Sequence, residues 1–160
     1  MTHISHYQKT TTKIQEIITL RATLTTDKYE EEIFIRGGAF KRETPRIYNN
    51  TCCISELNIN AIINISMIDA CHIVPFSESY NDTVSNGIAL CPNLHRAFDR
   101  GLISIDQEFS VIISNCFSEN EKNYSIRQFE GKPIALPTDK KHFPDLENLY
   151  WHYKHILKNK

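Results

Sequence analysis

Residues 69–101 read DACHIVPFSESYNDTVSNGIALCPNLHRAFDRG. The run MIDACHIV (67–74) is short, apolar and stopped by Pro75, which predicts a strand. FSESYNDTVS (76–85) is polar and predicts a loop, and GIALC (87–91) predicts a second, buried strand. Pro92 stands where a helix can open, and PNLHRAFDR runs from there to Gly101, a natural helix cap. The order is therefore strand, loop, strand, helix, with a histidine at each end. His72 lies on the first strand, and Asn86 opens the second beside Gly87. His95 and Asp99 are four residues apart on the helix, so they share a face and can converge on one ion.

Outward from this segment the signals are weaker. TKIQEIITLRATL (12–24) places Ile14, Ile17, Ile18 and Leu24 near one side of a helix. An acidic turn, the apolar IFI and the breaker pair Gly37–Gly38 follow. Thr44–Pro45 reads either as the start of a short helix over Pro45 to Tyr48 or as a kink in a helix from Ala39. Asn49–Asn50 reads as a turn and AIINIS (61–66) as a strand or part of one. LISIDQEFSVIIS (102–114) alternates about Asp106–Gln107 and predicts a hairpin. The tail closes on an aromatic-rich segment, DLENLYWHYKHIL, in which Trp151 is expected to plug the core and His142, His152 and His155 to serve as surface or scaffold residues.

Composition excludes several classes. Hydrophobic residues make up 41% of the 160, and charged residues 23%, so the chain is neither fibrous nor disordered. No apolar run approaches membrane-spanning length and the N-terminus has no apolar signal core, so a cytoplasmic location with no membrane partner is expected. Five cysteines with no C-x-x-C spacing point to reduced, mostly buried thiols, with Cys52, Cys53 and Cys91 as packing residues. The net charge of −1 hides a division: residues 51–110 carry two Lys/Arg against seven Asp/Glu, and each flank carries eight against six. An acidic centre between basic flanks fits a cation site beside an anionic polymer, although a solvated surface gives the same count.

CHIVP (71–75), NGIAL (86–90) and HRAFDRG (95–101) resemble the HNH nuclease family, in the branch found in bacterial restriction endonucleases. More weakly, GAFKRETPRIYNNTCCIS (38–55) resembles that branch's lead-in, and residues 134–157 resemble its closing segment. The resemblance implies an α+β fold centred on a ββα-metal (His-Me finger) core, with flanking helices and a small antiparallel hairpin. It divides the chain into an arm or linker over 1–37 and a nuclease domain over 38–160. The implied activity is metal-dependent hydrolysis of phosphodiester bonds in double-stranded DNA, in restriction or another anti-phage defence system. Cutting both strands needs two such sites, which implies a homodimer or further domains of a longer chain.

Carried over residue by residue, the resemblance makes His72 the general base, since an imidazole titrates near neutrality. Asn86 ties the loop across the hairpin and helps orient His72. His95 holds the divalent cation, and Asp99 is the second candidate ligand. Many family members carry an additional ligand immediately before the base, where this chain has Cys71. The third ligand is thus open between Asp69 and Cys71, and Asp69 is expected to need a bulge in order to help. A Cys71 thiolate would favour zinc; an oxygen shell completed by water favours Mg2+ or Mn2+, which is the expectation. Asp82 is expected only to cap the loop. Lys41, Arg42 and Arg46 upstream, with Arg96 and Arg100 on the helix, are the candidate DNA contacts. Two rival readings remain: a catalytically silent nucleic-acid-binding module, and a structural zinc protein built on Cys71, Cys91, His95 and another thiol.

Overall fold

The computed structural model describes residues 28–59, 65–120 and 124–159, with backbone alone over 28–36. The helix expected over 12–24 and most of the strand expected over 61–66 lie outside the described residues. The chain divides into two compact units, 1–38 and 39–160; the core and the site below belong to the second.

Helix α1 (Lys28–Ile47) passes straight through Gly37–Gly38, which does not break it, and keeps Pro45 inside. Pro45 has no N–H to give the Lys41 carbonyl, and the helix ends two residues later, where the chain turns through Asn49 and Asn50, both at φ 52°. Strand β1 (Asp69–His72) pairs antiparallel with β2 (Gly87–Leu90), in the register Asp69 to Leu90 through His72 to Gly87. The apolar stretch 67–74 thus yields a strand half as long as its sequence suggests. The segment expected to be loop holds a short helix α2 (Phe76–Ser79) and a 3-10 turn (Val84–Asn86). Helix α3 (Pro92–Asp99) follows β2 after a single residue, with proline in its first turn.

Gly101, at φ +69°, ends α3, as its place in the sequence predicts. It has a second duty there: a Cβ on Gly101 would lie 2.0 Å from the Ile156 carbonyl oxygen. The closing helix α4 (Leu146–His155), capped by the Asp145 carboxylate, packs its end against that glycine. β3 (Ile103–Ile105) and β4 (Val111–Ile113) form the expected hairpin.

The core joins these pieces. β2 is buried at all four positions, and α3 buries Leu94, Ala97 and Phe98 against it. Each large side chain so buried stabilises the fold by about 1.5–3 kcal/mol. Burying that stripe turns His95, Arg96, Asp99 and Arg100 outward, which is how packing rather than local chemistry presents the helix's polar residues. Cys52, Cys53 and Cys91 lie in the same core. Trp151 does not plug it: Leu149 and His152 are the buried residues of α4, and Trp151 stacks on His155 at 4.6 Å. Among the described residues no helix is long and apolar enough to cross a membrane.

Candidate active site

His72 ends β1 opposite Gly87, and the missing side chain there is used. A Cβ on Gly87 would stand 2.6 Å from Cε2 of Phe40, so the Phe40 ring occupies that space. The same ring stacks on the His72 imidazole, with centroids 3.9 Å apart and planes 13° off parallel. At the ring's edge, His72 Nε2 lies 2.7 Å from Asp82 Oδ1. The Asp82 side chain is only 11% exposed, so this pair is shielded from most solvent screening. A carboxylate accepts only, so this contact favours the neutral tautomer with its proton on Nε2 and its lone pair on Nδ1. Asp82 is therefore no simple loop cap. Asp82 and Phe40 are the two site residues that sequence reasoning missed.

Asn86 is fully buried and spends its amide on the loop. Its Oδ1 accepts the Val74 N–H at 2.9 Å, and its Nδ2 donates to the carbonyls of Val74 at 3.0 Å and Asn81 at 2.9 Å. Asn81 in turn accepts the Thr83 N–H on its own side chain at 2.9 Å. These bonds clamp the residues on either side of Asp82 to the strand end that carries His72.

The second cluster lies on α3. His95 Nε2 is 3.3 Å from Asp99 Oδ2, while its Nδ1 is 3.2 Å from Asp69 Oδ2. No bulge is needed for Asp69 to reach this point. The pairing of β1 is regular, and Asp69 and Cys71, two residues apart, both face α3. Cys71 Sγ lies 3.8 Å from Asp99 Oδ1. Burial, and then the Asp99 carboxylate beside it, push the Cys71 thiol well above its ordinary range. One donor atom each from Cys71, His95 and Asp99 fall within 4.8 Å of one another, a spread that a single ion can span. Cys91 is not part of that group among the described residues; its Sγ faces Ser55 Oγ at 3.9 Å. The four-ligand zinc arrangement through Cys71 and Cys91 therefore does not form.

The two clusters meet in one cleft of about 250 Å3, lined by His72, Phe76, His95, Asp99, His152 and Ile156. His72 and His95 are 25% and 26% exposed, so water reaches both rings. His152 forms part of the floor and is fully satisfied: Ser104 Oγ meets its Nδ1 at 2.9 Å, and its Nε2 faces the Phe98 carbonyl at 3.1 Å. Burial lowers its pKa to about 4, so the ring is a neutral scaffold piece. Lys41, Arg42, Arg46, Arg96 and Arg100 are all exposed. Two of them are shared with an acid, since Glu43 pairs with Arg42 at 3.7 Å and with Arg46 at 3.3 Å.

Residues 52–106 match the pattern of the HNH endonuclease family. That span runs from the buried cysteine pair to just past β3 and contains Asp69, Cys71, His72, Asp82, Asn86, His95 and Asp99, but not Phe40. No curated protein matches the chain. Among solved structures, the chain resembles a modification-dependent TagI restriction endonuclease, with a TM-score of 0.57 and 19% sequence identity. The alignment covers 75% of this chain and 38% of that one. At that identity the likeness is one of fold, and it is the α+β, ββα architecture that the two share.

Proposed function

With residues 52–106 carrying the HNH endonuclease pattern, we propose that this chain is a metal-dependent endonuclease that hydrolyses phosphodiester bonds of double-stranded DNA. The observation that carries the reading is the shared cleft, in which a carboxylate-held imidazole and a ligand cluster border one open space. Asp82 accepts the Nε2–H of His72, so that Nδ1 withdraws a proton from an attacking water; general-base help of this kind is worth roughly 10²–10⁴-fold. Phe40 holds the ring face, and Asn86 holds the loop. His95 and Asp99 hold the divalent cation. Asp69 accepts the Nδ1–H of His95 and so aims the Nε2 lone pair at the cluster, an orienting bond of the kind metal-binding imidazoles use. A bound dication supplies charge neutralisation for the scissile phosphate and the departing oxygen.

The remaining parts of the proposal follow from this. Lys41, Arg42, Arg46, Arg96 and Arg100 contact phosphates along the duplex, and cleavage of both strands uses a second copy or a second domain. A restriction or anti-phage role in the cytoplasm is the setting that suits a DNA nuclease of this branch. The test is incubation of the protein with supercoiled plasmid in Mg2+ or Mn2+. Nicked and linear products that EDTA suppresses support the reading. Intact plasmid in every ion, from a protein that binds DNA, supports a silent binding module instead.

A further inference from the structure

We propose that Cys71 is the third protein ligand of the metal centre, so that the site takes a thiophilic dication of the Zn2+ or Co2+ class through sulfur, nitrogen and oxygen. The role of the ion rests on the nuclease reading above; the ligand assignment rests on the cluster's own geometry. Around a tetrahedral Zn2+, bond lengths of roughly 2.0–2.3 Å put a nitrogen and an oxygen about 3.3 Å apart, and a sulfur and an oxygen about 3.5 Å apart. His95 Nε2 and Asp99 Oδ2 are 3.3 Å apart, and Cys71 Sγ and Asp99 Oδ1 are 3.8 Å apart. These two distances run to different oxygens of Asp99; with one donor atom from each residue the three lie within 4.8 Å of one another, and rotation of the solvent-accessible His95 and Asp99 side chains closes the set around one ion.

The alternative third ligand is placed differently. Asp69 sits against the other nitrogen of His95, where it orients the ring. Cys71 is fully buried at the base of the cluster, and its present partners are weak ones, Asp99 Oδ1 and the His72 carbonyl at 3.6 Å. A soft donor in the set shifts preference away from Mg2+, which favours an all-oxygen shell, and toward borderline ions that accept thiolate. On binding, the Sγ–H proton passes to bulk water, a sulfur–metal bond forms, and one water leaves the hydration shell of the ion.

The test is an anaerobic Co2+ titration of the full chain followed by absorption. The expected result is a near-ultraviolet sulfur-to-cobalt band together with visible ligand-field bands. Cys71→Ser should remove the first, keep the second and weaken binding roughly tenfold or more, whereas Cys116→Ser, at the exposed thiol, should change neither. Ligand-field bands without a sulfur band, a sulfur band that survives Cys71→Ser, or no Co2+ binding at all would each overturn the assignment. Should the variant not fold, X-ray absorption of the wild-type zinc form decides by the presence or absence of one sulfur at about 2.3 Å. Plasmid cleavage assayed in parallel separates the two readings. A sulfur band without cleavage in any ion keeps the ligand and removes the nuclease, and cleavage in Mg2+ without a sulfur band does the reverse.

Discussion

Asp82 Oδ1 lies 2.7 Å from His72 Nε2, a contact that favours the proton on Nε2 and the lone pair on Nδ1. Asp82 comes from the loop between the two strands, ten residues on, and the buried Asn86 ties that loop together by bonding to Val74 near its start and to the Asn81 carbonyl beside Asp82. Removing the acceptor should therefore disturb the chemistry without disturbing the ion. Asp82→Asn can present an N–H to Nε2 and favour the wrong tautomer, so single-turnover cleavage is expected to fall roughly 100-fold. Calorimetric ion affinity should be unchanged. A loss of ion binding instead would place Asp82 in the metal centre.

The stack of Phe40 on His72 depends on Gly87 having no side chain. Gly87→Ala inserts a methyl 2.6 Å from the Phe40 ring, and overpacking of this kind costs about 1–3 kcal/mol. The expected outcome is a lower urea midpoint together with slower cleavage, because the ring that holds His72 is displaced. Unaltered cleavage in a destabilised variant would show that the stack is only packing.

Asp69 is assigned an orienting role. Asp69→Asn keeps the size but loses the charge-assisted acceptor for His95 Nδ1, and losses of roughly 10–100-fold in ion affinity are typical when such a bond is removed. Isothermal titration with Mn2+ and Zn2+ measures this. Affinity equal to wild type would leave Asp69 with no part in the site.

His152 gives the fold a pH dependence of known sign. In the folded chain its pKa is lowered to about 4 by burial, against about 6.5 when exposed. Between those values the unfolded chain binds a proton that the folded chain does not, so stability is complete above about pH 6.5 and falls as the pH drops toward 4. Full development of that shift is worth about 3 kcal/mol. Denaturation of wild type and His152→Leu at pH 7 and pH 4.5 should show a shallower decline in the variant. Equal declines would assign the acid sensitivity to the carboxylates.

Much of the site was legible because its spacing is local. Asn86, Gly87, His95, Asp99 and Gly101 fall within sixteen residues, where strand, glycine and helix signals place them in the fold and the resemblance to the HNH family implies their roles. The failures have a common cause. Asp82 and Phe40 act on His72 through tertiary contact, and a lone aspartate in a polar loop or a phenylalanine on a helix carries no local sign of that. Gly37–Gly38 read as a break because propensity is a local preference, yet twenty residues of helix run across it. The size of Trp151 predicts a core position, but the buried place belongs to His152, whose two ring nitrogens find partners there. Asp69 reaches His95 without the expected bulge because both faces of the short strand border the site, His72 on one and Asp69 with Cys71 on the other.

In the proposed mechanism His72 supplies a base and His95 an ion site on the same cleft. The most direct test is single-turnover cleavage by His72→Ala, with ion affinity measured on the same preparation and imidazole added as a rescue agent. Cleavage is expected to fall roughly 10²–10⁴-fold, with ion affinity intact and partial recovery with imidazole, whereas His95→Ala loses ion binding and cleavage together. Wild-type cleavage by His72→Ala, or loss of its ion binding in place of its chemistry, would overturn these roles.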